Sequence, residues 1–348
     1  MPRVWEIPVH DSTRVRDARV AAERAAAPAG LDEPRTAAAA LVATELATNL
    51  LKHAGGGRIL VDVVDPPTPS GGAARLVQIA AIDHGPGIAD VAAAVRDGFS
   101  TTRSLGAGLG TCRRIADDFG LHSAPGRGTV ALARVGARPT EAVPFAAVRA
   151  GGVNVPFAGA DHSGDAWAWA RSGDRLTLML ADGLGHGPDA ARASTAAVEA
   201  LHRAAHLPPA EALVHLDTAL RGTRGAAVAV AQVETRAGLL RFAGVGNIGA
   251  RLRDGDRWRS LLSRPGIVGV HRHATLREDR MPWAADRLLI LHSDGLPSRW
   301  TPPADAELLA ADPAVVAAVT LRDASSSARP VRDDTAVAVL APTPAEVP

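Results

Sequence analysis

Tyrosine is absent from the 348 residues, cysteine occurs once, and aromatic side chains make up only 3%. A single cysteine, Cys112, excludes an intrachain disulfide and any cysteine-based metal site. Basic residues are almost all arginine, and Lys52 is the only lysine. A formal net charge of +1 gives no electrostatic case for nucleic acid or for a membrane surface. The opening residues carry no apolar signal region, and no run approaches the length of a membrane span. These absences predict a soluble, cytoplasmic protein with neither nucleic acid nor membrane as a partner. What is present is 47% hydrophobic residues, much of that alanine, which is enough for sizeable cores. The length suggests two domains.

The order of elements supports that division. Residues 4–9 read as a strand. A helix capped by Asp11 or Ser12 runs to about Ala27, where Pro28 and Gly30 end it. A second opens at Pro34 and runs to Ala54, closed by three glycines. Strands are expected over 58–64 and 75–82, joined by a Pro- and Gly-rich hairpin loop over 65–72. A helix over about 109–119 and a strand over 129–135 follow. Residues 136–144, with Pro139 and Pro144, read as a linker. Beyond it strands dominate: 166–170, 176–181, 226–233, 239–243, 250–253, 288–291 and 335–340, with helices over about 188–206 and 209–221. Both halves are thus α+β. The residues after Leu340 read as a disordered tail.

The first half carries a set of residues suited to a nucleotide. Glu45 and Asn49 are four apart and share one helix face. Asn49 offers a carbonyl oxygen to Mg²⁺, a hard cation that takes oxygen ligands. Glu45 can accept a proton from an attacking hydroxyl. Asp83 ends a strand before Gly85 and Gly87, where its carboxylate suits the exocyclic amine of adenine and the glycines allow close backbone approach. The run Gly106, Gly108, Leu109 and Gly110 opens a helix whose N–H groups suit a triphosphate. Lys52, the one ammonium of the chain, lies beside this set. Each fragment alone is an ordinary turn or helix surface; in this order, together, they point to ATP.

The second half carries a different set. Asp165, Asp182, Asp294 and Asp333 are far apart in sequence, each beside a glycine or at a strand end. Carboxylates gathered at strand ends hold two hard metals, which bind a phosphate and lower the pKa of a bridging water. An all-oxygen donor set favours Mg²⁺ or Mn²⁺ over Zn²⁺. His186, His292 and the pair Trp167 and Trp169 read as packing residues, and Cys112 as a small buried hydrophobe.

The runs ELATNLLKHA, DHGPGIAD, DGFSTTRSLGAGLGT and SAPGRGTV resemble the GHKL-type (HATPase_c) ATPase domain. Within it they are most similar to the serine kinases and anti-sigma factors of bacterial switch systems. That resemblance covers residues 4–135. It implies a GHKL (Bergerat) α/β sandwich with Glu45 as base and Asn49 as Mg²⁺ ligand. It also implies Asp83 at adenine, Thr129 beside it, and residues 96–106 as a lid. The runs DHSGDAWAW, LMLADGLGHGPDAARAS, LLILHSDGL and RDDTAVAVL resemble PP2C-type phosphatases of the sporulation and stress branch (SpoIIE/RsbX-like). That resemblance covers residues 143–340 and implies an α-β-β-α sandwich. It gives Asp165, Asp182, the Gly183 carbonyl, Asp294 and Asp333 as ligands of two metals. Asp334 competes with Asp333, because Thr335 follows one residue sooner than the family motif has it.

The expected organisation is therefore a GHKL kinase or anti-sigma-like domain over 1–137, a linker over 138–144, a phosphatase domain over 145–341 and a tail over 342–348. Glu45, Asp165 and Asp182 are the expected catalytic residues. The expected cofactors are ATP with Mg²⁺ in the first domain and Mn²⁺ or Mg²⁺ in the second. The resemblance implies a STAS-domain switch protein as phosphoserine substrate, with a sigma factor or a stressosome as a further partner. The alternative is a phosphatase whose ATP-binding domain only binds a partner or regulates.

Overall fold

In a computed structural model, which describes residues 3–65, 75–94, 108–137, 148–270, 276–326 and 331–343, the chain divides into two units. One unit lies within residues 3–137 and the other runs from residue 148 onward. The expected lid over 96–106 with Gly106, the linker over 138–144, most of the 65–72 loop and residues 344–348 lie outside the described residues.

The first unit contains β1 (Trp5–Val9), α1 (Ser12–Ala26), α2 (Glu33–Asn49), β2 (Gly57–Val64), β3 (Leu76–Ile82), α3 (Val91–Ala94), α4 (Gly108–Ile115), β4 (Asp118–Ala124) and β5 (Gly128–Gly136). Local chemistry sets the helix ends. Asp11 accepts from the N–H groups of Thr13 and Arg14 and caps α1; Asp32 accepts from Arg35 N and caps α2. After Asn49 the helix widens into a π-turn over Leu50–Ala54, and Gly55 closes it in the left-handed region. The strands form one antiparallel sheet in the order β1-β2-β3-β5-β4. Ile59, Val61, Val77, Ile79, Ala131 and Ala133 of one sheet face pack with Ala22, Ala25, Val42 and Leu46 of α1 and α2. The alanine share of the composition is used here: small side chains let two helices lie together on the sheet.

One expected element is corrected. The helix read over 109–119 stops at Ile115, and residues 118–124 form β4. The cause is tertiary. Asp117 accepts from Gly136 N and pairs with Arg35, while Arg134 pairs with Asp118. Phe119 and Leu121 then alternate onto the core face.

The second unit contains β6 (Val148–Val155), β7 (Asp165–Ser172), β8 (Arg175–Gly183), α5 (Pro188–Ala204), α6 (Pro209–Leu220), β9 (Ala226–Glu234), β10 (Leu239–Val245), β11 (Gly249–Asp254), β12 (Arg257–Leu261), β13 (Asp279–Pro282), β14 (Leu288–His292), α7 (Pro313–Ala324) and β15 (Thr335–Pro342). Two five-stranded sheets form, ordered β13-β10-β9-β8-β7 and β12-β11-β14-β15-β6. Leu176, Leu178 and Leu180 of β8 point between the sheets toward Leu289, Leu291, Ala336 and Ala338, with Trp169 and Trp167 in the same layer. The alternate residues Met179 and Ala181 face α5 and α6 on the outside. Helix α7 packs on β6 and β15 of the other sheet. The result is an α-β-β-α sandwich.

Three strands and a helix here escape the sequence patterns. Gly151 and Gly152 interrupt β6, and β12 and β13 are short sheet edges. Helix α7 is buried at nearly every position, so it lacks the polar stripe that marks an amphipathic helix. Strand β15 also runs past Leu340, because Ala341 and Pro342 pair with Arg149 and Val148. Among the described residues no helix is long and apolar enough to cross a membrane.

Candidate active sites

In the first unit, the last turn of α2 and the first turn of α4 meet. Glu45 and Asn49 lie on that turn, both partly buried. The Asn49 side-chain nitrogen is buried and has no hydrogen-bond partner. Gly108, the first residue of α4, is so near that a Cβ there would stand 2.9 Å from both amide atoms of Asn49. Cys112 of α4 is fully buried, and burial, with the Glu45 charge second, pushes its thiol up to about 12. The glycine-led helix thus presents its N-terminus over a carboxylate and an orphaned amide. Lys52 is exposed on the π-turn; Leu109 is partly buried and Gly110 is buried in α4.

Asp83, at the end of β3, is buried, and its Oδ1 accepts from Gly85 N at 2.8 Å and Thr129 N at 3.1 Å. Gly85 abuts Ala54, the end of the π-turn, and Gly87 lies against the Ala124 carbonyl. Ser123 ties this corner together: its Oγ accepts from Ile88 N at 2.8 Å and lies 2.8 Å from Thr129 Oγ1. Asp83, Gly85, Gly87 and Thr129 therefore come together beside the end of α2. Ser123 was not singled out, because nothing in SAPGRG marks it as more than a turn residue.

In the second unit, β7 and β8 pair so that Asp165 stands opposite Asp182. Asp294 follows β14 and Asp333 precedes β15; these strands also pair, and they end on the same edge of the sandwich. Gly183 ends β8, and its N–H donates to the Gly164 carbonyl at 3.0 Å. Asp165 is 3% exposed, and neither carboxylate oxygen meets hydrogen-bond geometry, although Asp182 and Ser293 lie close enough to act on its charge. Burial, and then Asp182, push its carboxyl well above the usual range. Asp182 is pushed up to about 7, by burial first and then by Asp294, Asp333 and Asp334. Asp294, at the exposed rim, is raised by partial desolvation and by Asp333, with an Asn247 hydrogen bond opposing. Like charges held together with unpaired oxygens are a cluster that wants cations. The donor set is all oxygen and fits hard divalent ions. Among the described residues no three acidic, histidine or cysteine side chains are converged around a single point.

Supporting residues were missed by the motifs. Asn247 Nδ2 donates to Asp294 Oδ2 at 2.7 Å. Asn154 Nδ2 donates to the Asp165 carbonyl at 2.7 Å, and Ser163 Oγ donates to Asn154 and accepts from Asp165 N. Ser293 Oγ accepts from Ala336 N at 3.0 Å, locking β14 to β15. His292 packs edge-on against Trp300, 4.9 Å between ring centres, and His186 is exposed in its loop.

In succession along the chain, two regions are similar to a histidine kinase-like ATPase domain and to a SpoIIE-type PP2C phosphatase domain. Residues 9–134 match the family described as histidine kinase-like ATPase domain, and residues 172–342 match stage II sporulation protein E (SpoIIE). The serine/threonine-protein kinase RsbT of Bacillus subtilis is 42% identical over 86 residues, which is 25% of this chain. The chain spans 61% of the length of that relative. Among solved structures, the PP2C phosphatase domain of SpoIIE from Bacillus subtilis, with a fragment of its regulatory domain, aligns at TM-score 0.49 and 16% identity, covering 81% of each chain. RsbX in complex with magnesium aligns at TM-score 0.48 and 17% identity, over 56% of this chain and 96% of that one. The class of protein is set by the two family matches and not by these superpositions. ATP and divalent metal ions are the cofactors such domains imply.

Proposed function

We propose that the chain is a bifunctional switch regulator. Its first domain moves a phosphoryl group from ATP, held with Mg²⁺, to a serine hydroxyl. Its second domain hydrolyses phosphoserine with two Mn²⁺ or Mg²⁺ ions. The substrate is a STAS-domain switch protein, an anti-sigma antagonist or a stressosome component, in the cytoplasm. One observation carries this reading: the two acid sets assemble separately, Glu45 and Asn49 on one helix of one unit, and Asp165, Asp182, Asp294 and Asp333 at one edge of the other.

In the first domain Glu45 would take the proton of the attacking serine, and Asn49 would offer its oxygen to Mg²⁺. The α4 N-terminus, started by Gly108, Leu109 and Gly110, holds phosphate oxygens with its N–H groups. Asp83, fixed by Gly85 N and Thr129 N, receives the adenine amine. In the second domain Asp165, Asp182, Asp294, Asp333 and the Gly183 carbonyl hold the ions, which when bound supply a water of lowered pKa for in-line attack. Asn247 holds Asp294 in place.

The test is phosphate transfer from labelled ATP to STAS-domain proteins of the same cell. Glu45→Ala is expected to lower transfer by about 10²–10⁴-fold, the usual share of a general base, while ATP still binds. Wild-type protein that labels none of those substrates would overturn the kinase half.

A further inference from the structure

Asp333 and Asp334 are neighbours at the entry to β15, yet their surroundings differ. Asp334 is 5% exposed. Its Oδ1 accepts from Phe157 N at 2.8 Å and its Oδ2 accepts from Gly164 N at 2.8 Å. Phe157 and Gly164 are the two ends of the loop that joins β6 to β7 and delivers Asp165. Both oxygens are thus committed to backbone donors of one loop. An ion on those oxygens would have to share them with two N–H dipoles whose positive ends already point there. Gly164 is fitted to the contact, since a Cβ there would stand 3.0 Å from Asp334 Oδ2. Between the anchors, Ala158 holds φ at +52°, the one described non-glycine residue with positive φ. Such a conformation persists only where its surroundings over-determine it. Asp333 is exposed instead, and the one hydrogen bond its carboxylate accepts comes from Asp334 N at 2.8 Å, on Oδ1. Its charge acts on Asp182 and Asp294, while that of Asp334 acts on Asp165 and Asp182.

We infer that Asp334 is a positioning residue whose carboxylate staples both ends of the 157–164 loop and so sets Asp165, leaving Asp333 as the carboxylate this segment gives to the metal centre. The second half of this inference rests on the metal-dependent reading above; the staple does not.

The experiment compares the full wild-type chain with Asp334→Asn, Asp333→Asn and Gly164→Ala. Hydrogen exchange of the 157–164 segment is followed without metal, and Mn²⁺ binding is followed by calorimetry. An asparagine offers one acceptor and one donor group to two N–H groups, so it can satisfy only one of them. Asp334→Asn is expected to raise exchange of the segment by about tenfold or more, the loss of one charge-assisted bond, while Mn²⁺ still binds with unchanged stoichiometry. Gly164→Ala opens the staple from the other side and gives the same pattern, so the result does not hang on one variant's folding. Asp333→Asn leaves exchange unchanged and loses an ion. The inference falls if Asp334→Asn loses an ion with exchange unchanged, or if Asp333→Asn binds Mn²⁺ as the wild type does. Wild-type protein that binds no Mn²⁺ would instead overturn the metal reading, and exchange alone would then judge the staple.

Discussion

Buried carboxylates occur in both units, and their neighbours decide what each does. Asp165 sits among other carboxylates, which argues for cations. Asp62, partly buried in the middle of β2, has only Asp65 as a carboxylate neighbour acting on its charge. Its cross-strand partner is Gln78, and it accepts one bond from Val63 N at 2.7 Å. Burial pushes it up to about 7, with Asp65 adding a little. A carboxyl raised on folding keeps its proton in the native state and releases it in the unfolded one. Its stabilising effect is therefore full below about pH 4, the unfolded value, and is lost as pH rises toward 7. Asp62→Asn is expected to raise the thermal midpoint at pH 8 and to change it little at pH 4. Equal midpoints for variant and wild type at pH 8 would refute this. No sequence pattern singles out Asp62, because an aspartate within VDVV reads as the solvent side of an alternating strand. The acids proposed to hold metal stand out in the sequence for the opposite reason: each lies beside a glycine or at a strand end, where turn chemistry marks it.

Among elements, α2 and α4 fit closely at the nucleotide-suited residues. Gly108 touches both amide atoms of Asn49, so any side chain there must displace either the helix or the amide. Gly108→Ala is expected to weaken ATP binding at least tenfold by calorimetry. Manganese-dependent dephosphorylation by the same protein should be unaltered. Unchanged ATP affinity would show that α4 does not serve the nucleotide. Most elements could be read in advance where period and punctuation agreed: the Asp11 cap, the glycine stop after Ala54, the alternating strands 176–181 and 226–233. Those missed share a physical cause. Helix α7 is apolar all round, and β4 takes its strand form from ion pairs at Asp117 and Asp118 with arginines distant in sequence. Local propensity cannot register a contact that long-range folding creates.

At the scale of the whole molecule, the proposed function puts two chemistries of opposite sense on one chain. Because each acid set assembles within its own unit, loss of one should spare the other. Asp182→Asn is expected to stop release of phosphate from a phosphoserine substrate in Mn²⁺ while labelling by ATP continues. Glu45→Ala should do the reverse. Joint loss in either variant, with fold intact by circular dichroism, would mean that the activities are not separable. Simultaneous turnover on one substrate would consume ATP without net change.

The second sandwich closes on itself late. Strand β15 lies in the middle of its sheet, between β14 and β6, and it pairs along its whole length with β6, the first strand of the unit. Asp165 and Asp182 face each other across adjacent strands, but Asp333 arrives only with β15, some 150 residues further along. A chain that stops before β15 holds three of the four acids, Asp165, Asp182 and Asp294, and leaves β14 and β6 without the strand that pairs with both. On the metal-dependent reading proposed above, divalent-ion affinity is expected to be complete only once β15 has paired with β6.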